Sequence, residues 1–229
     1  MVGSLEGCGA QGDAEVSFTI IDVEQRSPAW YAARAGRLTG SAAADMMRTQ
    51  KSGQPSASRK HLITRLALER ITGRSQEREF TTAAVQHGID MEPAALGRYE
   101  AETGEILERV GFLSLGGVMA GCSLDAFICG RRGIVEGKAP ESATHLEYLQ
   151  TRKIPDDYRW QCIHSLWVSG ADYADFISFD DRFPDELQYL CVRLERNEQE
   201  VQAYAAAAGR LLAEVSVAVN EINKLRMAA

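Results

Sequence analysis

The sequence lacks long hydrophobic runs, and this absence bears on where the protein can reside. No stretch of about eighteen apolar residues occurs in the 229-residue chain, so we expect no membrane-spanning helix. The first residues contain neither a basic region nor an apolar core, so we also expect no secretory signal. Hydrophobic residues make up 45% of the chain and charged residues 25%, as is typical of a soluble globular protein.

Paired cysteine motifs are also absent. The chain has five cysteines, an odd number, and they form no C-x-x-C motif: Cys8, Cys122, Cys129, Cys162 and Cys191. A disulfide scaffold or a structural zinc site is therefore not expected, and the predicted location is the reducing cytoplasm.

The chain also lacks an excess of basic residues. The formal net charge is −7 at pH 7, which argues against a protein that coats nucleic acid by neutralising many phosphates. An acidic enzyme can still bind DNA through one local basic surface.

The periodic segments predict a mixed α/β (α+β) fold. The predicted helices cover residues 27–47 with a break at 36–40, then 59–73, 81–104, 142–150, 156–169 and 197–226. The predicted strands cover 105–115, 117–128, 132–139, 173–180 and 187–195, and the first three read as an antiparallel meander. No linker or repeat is visible, so we expect one domain over 18–229 after a flexible lead-in over 1–17.

Cap and turn residues predict several helix ends. Ser27 is a suitable N-cap, with Pro28 at the first helical position. Gly73 is a suitable C-terminal stop. Pro93 predicts a kink or a new helical turn within 81–104, because it lacks the N–H that a helix interior uses.

Three ionisable residues on neighbouring predicted strands suggest a metal centre. Glu136 and Lys138 are two residues apart, so they share one face of a strand, and a hairpin would bring Asp125, at the end of the preceding strand, next to Glu136. Two adjacent carboxylates repel unless a cation lies between them, and their oxygens suit Mg²⁺ or Mn²⁺. With Lys138 to orient or deprotonate a water molecule, the set predicts metal-assisted phosphodiester hydrolysis.

The spacing D-x10-E-x-K is the pattern of the PD-(D/E)-x-K nuclease superfamily. The pattern alone has low specificity, and a salt bridge between Glu136 and Lys138 on an exposed strand is the alternative. Three further segments bear on the choice: "WYAARAGRLTGSAAADMM", "HGIDMEPAALGRYEAETG" and "YRWQCIHSLWVSGADYADFISFD".

Together with "CSLDAFICGRRGIVEGKAP", these segments resemble the lambda-exonuclease and YqaJ-type viral recombinase family over residues 22–195. The first segment fits a W-x-x-x-R-x-G-x-x-T-x-S motif through Trp30, Arg34, Gly36, Thr39 and Ser41. The second fits G-x-x-x-E-P-x-A-x-x-x-Y-E-x-x-T-G through Gly88, Glu92, Pro93, Ala95, Tyr99, Glu100, Thr103 and Gly104. The third contributes Tyr158 and Gln161 on a helix.

The resemblance implies a restriction-endonuclease-like core, with a central mixed sheet flanked by helices. It implies a Mg²⁺-dependent 5′-to-3′ exonuclease that acts on double-stranded DNA ends and releases mononucleotides. The 3′ overhangs would serve a single-strand annealing protein, and the enzyme would be a homotrimeric ring around DNA. One or two Mg²⁺ ions are implied, with Mn²⁺ as a possible substitute.

The resemblance also assigns residues around the triplet. Asp125, Glu136 and the main-chain carbonyl of Gly137 would hold the metal. Glu92 would contact the metal or a water molecule, although a carboxylate before Pro93 also suits a helix cap. Gln161 would lie beside the site, or would satisfy buried backbone instead, and Tyr158 fits either the site or the core.

A pocket for a 5′-phosphate is implied as well. Arg34 and Ser41 would bind the phosphate, because arginine binds phosphate oxygens in a fork and the "TGS" segment opens a helix whose free N–H groups attract anions. Ser41 as a simple N-cap is the alternative. Ser123 would be a weaker phosphate contact.

Two rival functions remain open from the sequence. An endonuclease of the same fold would not use a 5′-phosphate pocket. A non-catalytic protein that binds DNA ends or recruits a recombinase is disfavoured by the presence of Asp125, Glu136 and Lys138 together, because a decayed nuclease usually loses one of them. We expect His164 to be a core residue, and the stripe from Val201 to Val215 on the last helix to pack against the core or a subunit.

Overall fold

The computed structural model describes residues 17–76, 82–129 and 132–228. The lead-in predicted as flexible lies outside the described residues, except for Ser17. The helices are α1 (Pro28–Arg34), α2 (Ala43–Met47), α3 (Ala57–Thr72), α4 (Ala83–Thr103), α5 (Ser142–Thr151), α6 (Asp156–Ser169) and α7 (Glu198–Ala228). Short 3-10 helices span Gly40–Ala42 and Asp185–Leu187.

Eight strands form two sheets within the described residues. They are β1 (Phe18–Ile21), β2 (Leu107–Glu108), β3 (Phe112–Leu115), β4 (Gly121–Cys122), β5 (Ala126–Ile128), β6 (Gly133–Lys138), β7 (Tyr173–Phe179) and β8 (Tyr189–Glu195). One sheet has the order β1-β3-β4, and the other has the order β2-β5-β6-β7-β8. The predicted mixed α/β class is confirmed.

The five-stranded sheet is mixed. β6 and β7 pair in parallel, whereas β2–β5, β5–β6 and β7–β8 pair antiparallel. The parallel pair needs a crossover, and α5 and α6 supply it between the two strands. β6 is therefore a central strand, with buried residues from Gly133 to Glu136 and partial exposure at Gly137 and Lys138.

The predicted three-strand meander is wrong in its details. The expected strand 105–115 divides into β2 and β3, and the expected strand 117–128 divides into β4 and β5, with the halves in different sheets. As a result Asp125 lies just before β5, not at the end of a strand. The strand β1, which pairs with β3, was not expected from the sequence.

Two of the predicted helix features agree with the structure, and two differ from it. Ser27 caps α1 by accepting the N–H of Trp30 over 3.2 Å, and Gly73 ends α3 with φ 66°. The helix α4 runs without a break through Pro93, and its N-cap is Thr82, so Glu92 is not a cap. The helix α3 begins at Ala57, two residues before the predicted start at 59.

The core packs mainly around α3, α6 and α7. Leu62 and Leu66 of α3, Ile163 and Leu166 of α6, and Leu211 of α7 are at most 3% exposed. The predicted stripe on the last helix is buried, with Val201, Tyr204, Ala208, Leu211, Leu212 and Val215 all facing inward. Such burial is the main source of folding free energy, and it makes α6 a fixed support for side chains near β6.

No helix among the described residues is long and apolar enough to cross a membrane. The four cysteines in the described part of the chain, Cys122, Cys129, Cys162 and Cys191, are all free thiols.

Candidate active site

Asp125 and Glu136 meet across the β5–β6 pair. Ala126 lies opposite Val135 in this antiparallel pair, and the same register continued by one residue sets Asp125 opposite Glu136. The Oδ2 atom of Asp125 accepts the backbone N–H of Gly137 over 2.7 Å. Glu136 is 2% exposed and Asp125 is half-buried, so the two predicted carboxylates share one protected site.

Lys138 completes the triplet from the same strand. Its ammonium group donates to Oε1 of Glu136, and its side chain is 22% exposed. The ion pair proposed as the alternative does exist, but its carboxylate is buried, unlike that of a surface salt bridge. Burial alone would lower the pKa of Lys138. The attraction of its ammonium group to Glu136 and Asp125 outweighs this effect and raises the pKa above its usual value. The lysine is therefore a firmly charged group and a poor proton acceptor in this state.

The electrostatics of Asp125 reflect crowding of negative charge. Burial and then repulsion from Glu136 raise the pKa of Asp125 to about 7, with a smaller contribution from Glu92, while Lys138 opposes the change. Closely spaced carboxylates disfavour full ionisation unless a cation neutralises them. The site therefore has the charge balance expected of a cation-binding centre.

Gln161 and Tyr158 approach the triplet from α6. The amide Nε2 of Gln161 donates to Oε1 of Glu136 over 2.5 Å, so Gln161 lies beside the candidate triplet. The ring of Tyr158 lies 5.2 Å from Nζ of Lys138 and also stacks on Phe176 at a centroid distance of 5.5 Å. Tyr158 thus contacts both the site and the core.

Glu92 reaches the same region from α4 and is held by arginines. Its Oε2 accepts Nη2 of Arg26 over 2.7 Å, and its Oε1 lies 3.9 Å from Nη1 of Arg109. The side chain of Glu92 is 15% exposed. The arginine partners were not anticipated from the sequence, since neither belongs to a recognised motif.

Arg34, Ser41 and Ser123 come together as predicted. Arg34 is 7% exposed at the end of α1, and its two terminal nitrogens donate to Ser123 over 3.3 Å and Ser41 over 3.4 Å. Ser41 lies inside the 3-10 helix Gly40–Ala42, whose N-cap is Thr39, so the simple N-cap interpretation of Ser41 is wrong. A buried guanidinium with two hydroxyls is well suited to an anion.

Trp30 is a component of this pocket that the sequence reasoning left without a role. Its indole Nε1 donates to Oγ of Ser123 over 2.8 Å, and the Arg34 guanidinium lies 4.0 Å from its ring centroid. Trp30 and Arg34 are four residues apart, a spacing that aligns side chains on one helix face. This spacing is the sequence feature that could have revealed the contact between Trp30 and Arg34. The contacts themselves indicate that Trp30 orients both Arg34 and Ser123.

A cleft of about 320 Å³ lies beside Arg34 and the triplet, and residues that contact them line part of it. Ser41 and Gly40 line one side, and Tyr158 and Gln161 line the other. Ser41 accepts a hydrogen bond from Arg34, and Gln161 donates one to Glu136. One cleft therefore adjoins a residue that contacts Arg34 and a residue that contacts Glu136.

The other motif residues have structural roles. Gly36 has φ 71°, and a Cβ there would lie 2.6 Å from Cγ of Arg70, so only glycine fits. Tyr99 donates its hydroxyl to Asp175 over 2.7 Å, and Gly104 ends α4 with φ 71°. His164 is fully buried between the Tyr204 hydroxyl and the Gly121 carbonyl, as expected of a core residue.

The residues present fit a divalent cation in their chemistry. No group of three or more His, Cys, Asp and Glu side chains within the described ranges forms a ready metal cage. The set predicted from the sequence has two carboxylates and one main-chain carbonyl, and Mg²⁺ commonly uses only one or two protein carboxylates and retains water. Burial of Asp125 and then its repulsion from Glu136 raise the pKa of Asp125, and a bound cation would relieve that repulsion.

Comparison with known proteins agrees with the motifs. The family model of the YqaJ-like viral recombinase domain matches residues 29–172. An alkaline exonuclease from Laribacter hongkongensis, LHK-Exo, is 32% identical with a TM-score of 0.80, covering 88% of this chain and 99% of its own. LHK-Exo in complex with dAMP is 34% identical with a TM-score of 0.81, covering 89% of this chain and 100% of its own.

A more distant structure shares the fold. The phage-related exonuclease from Haemophilus somnus 129PT is 14% identical with a TM-score of 0.67, covering 81% of this chain and 96% of its own. A search of curated proteins finds no match. The family resemblance and the restriction-endonuclease-like core expected from the sequence are confirmed.

Proposed function

The chain belongs to the YqaJ-like viral recombinase family and is a DNA exonuclease by its similarity to LHK-Exo, and we propose that it digests one strand of duplex DNA from a 5′-phosphorylated end with Mg²⁺. Mononucleotides would be released, and the remaining 3′ overhang would be the substrate of a single-strand annealing protein. Mn²⁺ would substitute for Mg²⁺, and one or two ions would act.

One observation carries the direction of digestion. Arg34 donates to Ser123, and Ser123 lies two residues before Asp125. The anion pocket and the carboxylate centre therefore share one chain segment, Ser123–Asp125. A phosphate fixed at Arg34 would keep the next phosphodiester at a constant offset from Asp125, which favours removal of one nucleotide at a time from a 5′ end.

The side chains have distinct tasks in this proposal. Asp125, Glu136 and the carbonyl of Gly137 would hold Mg²⁺, which would polarise the scissile phosphate and lower the pKa of a bound water. Lys138, kept charged by its carboxylate neighbours, would orient the attacking water and offset the charge of the phosphate. Gln161 would fix Glu136, and Glu92 would contact the ion or its water. Tyr158 would support Lys138.

The assembly and location extend the same proposal. A homotrimeric ring around DNA would combine an acidic outer surface with a basic inner one, and it would keep the enzyme on its substrate. The protein would act in the cytoplasm, where DNA is accessible and its free thiols remain reduced.

The experiment uses linear duplex DNA with a label at either the 5′ or the 3′ end of one strand, incubated with Mg²⁺. The 5′ label is expected to appear at once as a mononucleotide, while the 3′ label stays in long fragments until late. Early release of the 3′ label would contradict the proposed direction. Cleavage of closed circular duplex would favour the rival endonuclease, and absence of any cleavage would favour the non-catalytic end-binding protein.

A further inference from the structure

Arg26 occupies a backbone conformation that favours glycine. The N–H of Ser27 donates to the carbonyl of Glu24 over 3.2 Å, which closes a turn with Arg26 at its third position. Arg26 has φ 67°, and turns with a positive φ at this position commonly use glycine or asparagine. An arginine therefore occupies a position where a side chain adds backbone strain.

Stability does not explain this choice. The Arg26 side chain is 42% exposed and forms an ion pair with Glu92. Exposed ion pairs contribute little to folding free energy, whereas a non-glycine residue in the left-handed region costs more than such a pair commonly returns. Strained residues of this kind cluster at functional sites, so the position of Arg26 relative to the active site matters.

The turn is attached to the active site at three points. The amide Nε2 of Gln25 donates to the carbonyl of Leu124 over 2.9 Å, directly before Asp125. Ser27 caps the helix α1, which carries Arg34 of the phosphate pocket. The third attachment is Arg26 itself, whose Nη2 lies 2.7 Å from Oε2 of Glu92. The strained residue therefore contacts Glu92, an acidic side chain of α4 whose charge acts on Asp125.

We propose that Arg26 is a positioning residue that holds the Glu92 carboxylate in the cation-free protein and competes with the divalent cation for it. This inference rests on the proposed metal-dependent function. A guanidinium at 2.7 Å neutralises the charge that a cation would use, so cation binding must weaken or break the Arg26–Glu92 ion pair. Arg26 thereby lowers the affinity of the centre for its cation. Arg109, at 3.9 Å from the other carboxylate oxygen, remains to orient Glu92.

The test is a calorimetric titration of Mn²⁺ into the full chain without DNA. Arg26→Gly removes the competing charge and suits φ 67°, so it is expected to fold and to bind Mn²⁺ about two- to fivefold more tightly. Arg152→Gly is the matched control, because Arg152 is the other non-glycine residue with positive φ among the described residues, at 49°, and it ends α5. Its Mn²⁺ affinity should equal that of the wild type.

A double-mutant cycle identifies the partner. In a Glu92→Gln background, Arg26→Gly should leave the Mn²⁺ affinity unchanged, since the contested carboxylate is gone. Arg26→Asn, which also tolerates a positive φ, provides a second variant with the same expected gain in affinity.

Three results would overturn the inference. Equal or weaker Mn²⁺ binding by Arg26→Gly and Arg26→Asn, with normal binding by the wild type, would refute the role of Arg26 and leave the proposed function intact. A gain that persists in the Glu92→Gln background would refute Glu92 as the partner. Failure of the wild type to bind Mn²⁺ would refute both the inference and the metal-dependent function.

Discussion

Gln161 of α6 donates to Oε1 of Glu136 on β6 over 2.5 Å, so the amide fixes a carboxylate that also accepts the ammonium of Lys138. The hydrogen bond joins the buried helix of the core to the strand that carries two residues of the triplet. A change at Gln161 should therefore affect the chemistry and leave the fold intact.

Replacing Gln161 by glutamate is predicted to reduce nuclease activity by about 10- to 100-fold. The new carboxylate would repel Glu136 and could not donate the hydrogen bond that positions it. The measurement is the initial rate of nucleotide release at several Mg²⁺ concentrations. Gln150→Glu, an exposed change on α5, is the control and should retain the wild-type rate. Equal rates for the two variants would contradict a positioning role for Gln161.

Gly40 lets the segment that carries Ser41 approach Gln161. A Cβ at Gly40 would lie 3.2 Å from Cγ of Gln161 and 3.6 Å from Cδ2 of His164, so Gly40→Ala should displace the Gln161 side chain by a fraction of an ångström. We predict a decrease in kcat of about three- to tenfold, because catalytic groups tolerate little misplacement. The assay is steady-state kinetics on linear duplex.

The matched control for Gly40→Ala is Gly97→Ala. A Cβ at Gly97 meets nothing within 4 Å beyond the helix itself, and alanine stabilises a helix interior by about 0.5–1 kcal/mol relative to glycine. Gly97→Ala should raise the free energy of unfolding and leave kcat unchanged. If Gly40→Ala and Gly97→Ala have the same kcat, the close approach of Gly40 to Gln161 does not affect catalysis.

The motif tyrosine Tyr99 is predicted to act on stability and not on catalysis. Its hydroxyl donates to Asp175, which is 1% exposed and also accepts two hydrogen bonds of 2.7 Å from Arg193. Tyr99→Phe should lower the free energy of unfolding by about 1.5–3 kcal/mol, the usual contribution of a hydrogen bond to a charged group. Denaturant titration measures this value. A loss of activity with unchanged stability would instead indicate a role in the active site.

His164 is predicted to make the fold sensitive to acid. Burial lowers the pKa of His164 from 6.5 to about 4, so between these pH values the unfolded chain binds a proton that the native protein does not. Stability from this residue is complete above about pH 6.5 and declines as the pH falls to about 4, by roughly 3 kcal/mol in total. Unfolding titrations at pH 7 and pH 5 should show a smaller difference for His164→Gln than for the wild type, and an equal or larger difference would contradict the assignment.

The sequence predicted which of the candidate site residues lie close together better than it predicted the sheets. Asp125, Glu136 and Lys138 follow a local spacing, and strand alternation alone determines that Glu136 and Lys138 share a face. Trp30 and Arg34 likewise follow helical spacing. The Glu136–Lys138 and Trp30–Arg34 relationships depend on neighbours in the chain, whereas Asp125 reaches Glu136 through the pairing of β5 with β6.

The features that the sequence did not reveal depend on distant contacts. The division of 117–128 into β4 and β5 follows from pairing with β3 and β6, which are different partners in different sheets. Pro93 remains inside α4, although its missing N–H favours a break, because Ala95, Leu96 and Tyr99 bury the helix against the sheet. The Arg26–Glu92 ion pair joins residues 66 positions apart, and no local pattern indicates it.

The central claim is that the Asp125 centre cleaves DNA whose 5′-phosphate is held at Arg34. Its most direct measurement is Mg²⁺-dependent nucleotide release from linear duplexes with 5′-phosphate or 5′-hydroxyl ends, by the wild type, Asp125→Asn and Arg34→Lys. The wild type should prefer the 5′-phosphate. Asp125→Asn should lose at least roughly 10³-fold in rate on both ends. Arg34→Lys keeps the positive charge but loses the forked pair of guanidinium N–H donors. Its preference for 5′-phosphate over 5′-hydroxyl ends should be about tenfold smaller than that of the wild type. Release by Asp125→Asn at the wild-type rate, or an unchanged 5′-phosphate preference in Arg34→Lys, would contradict the account.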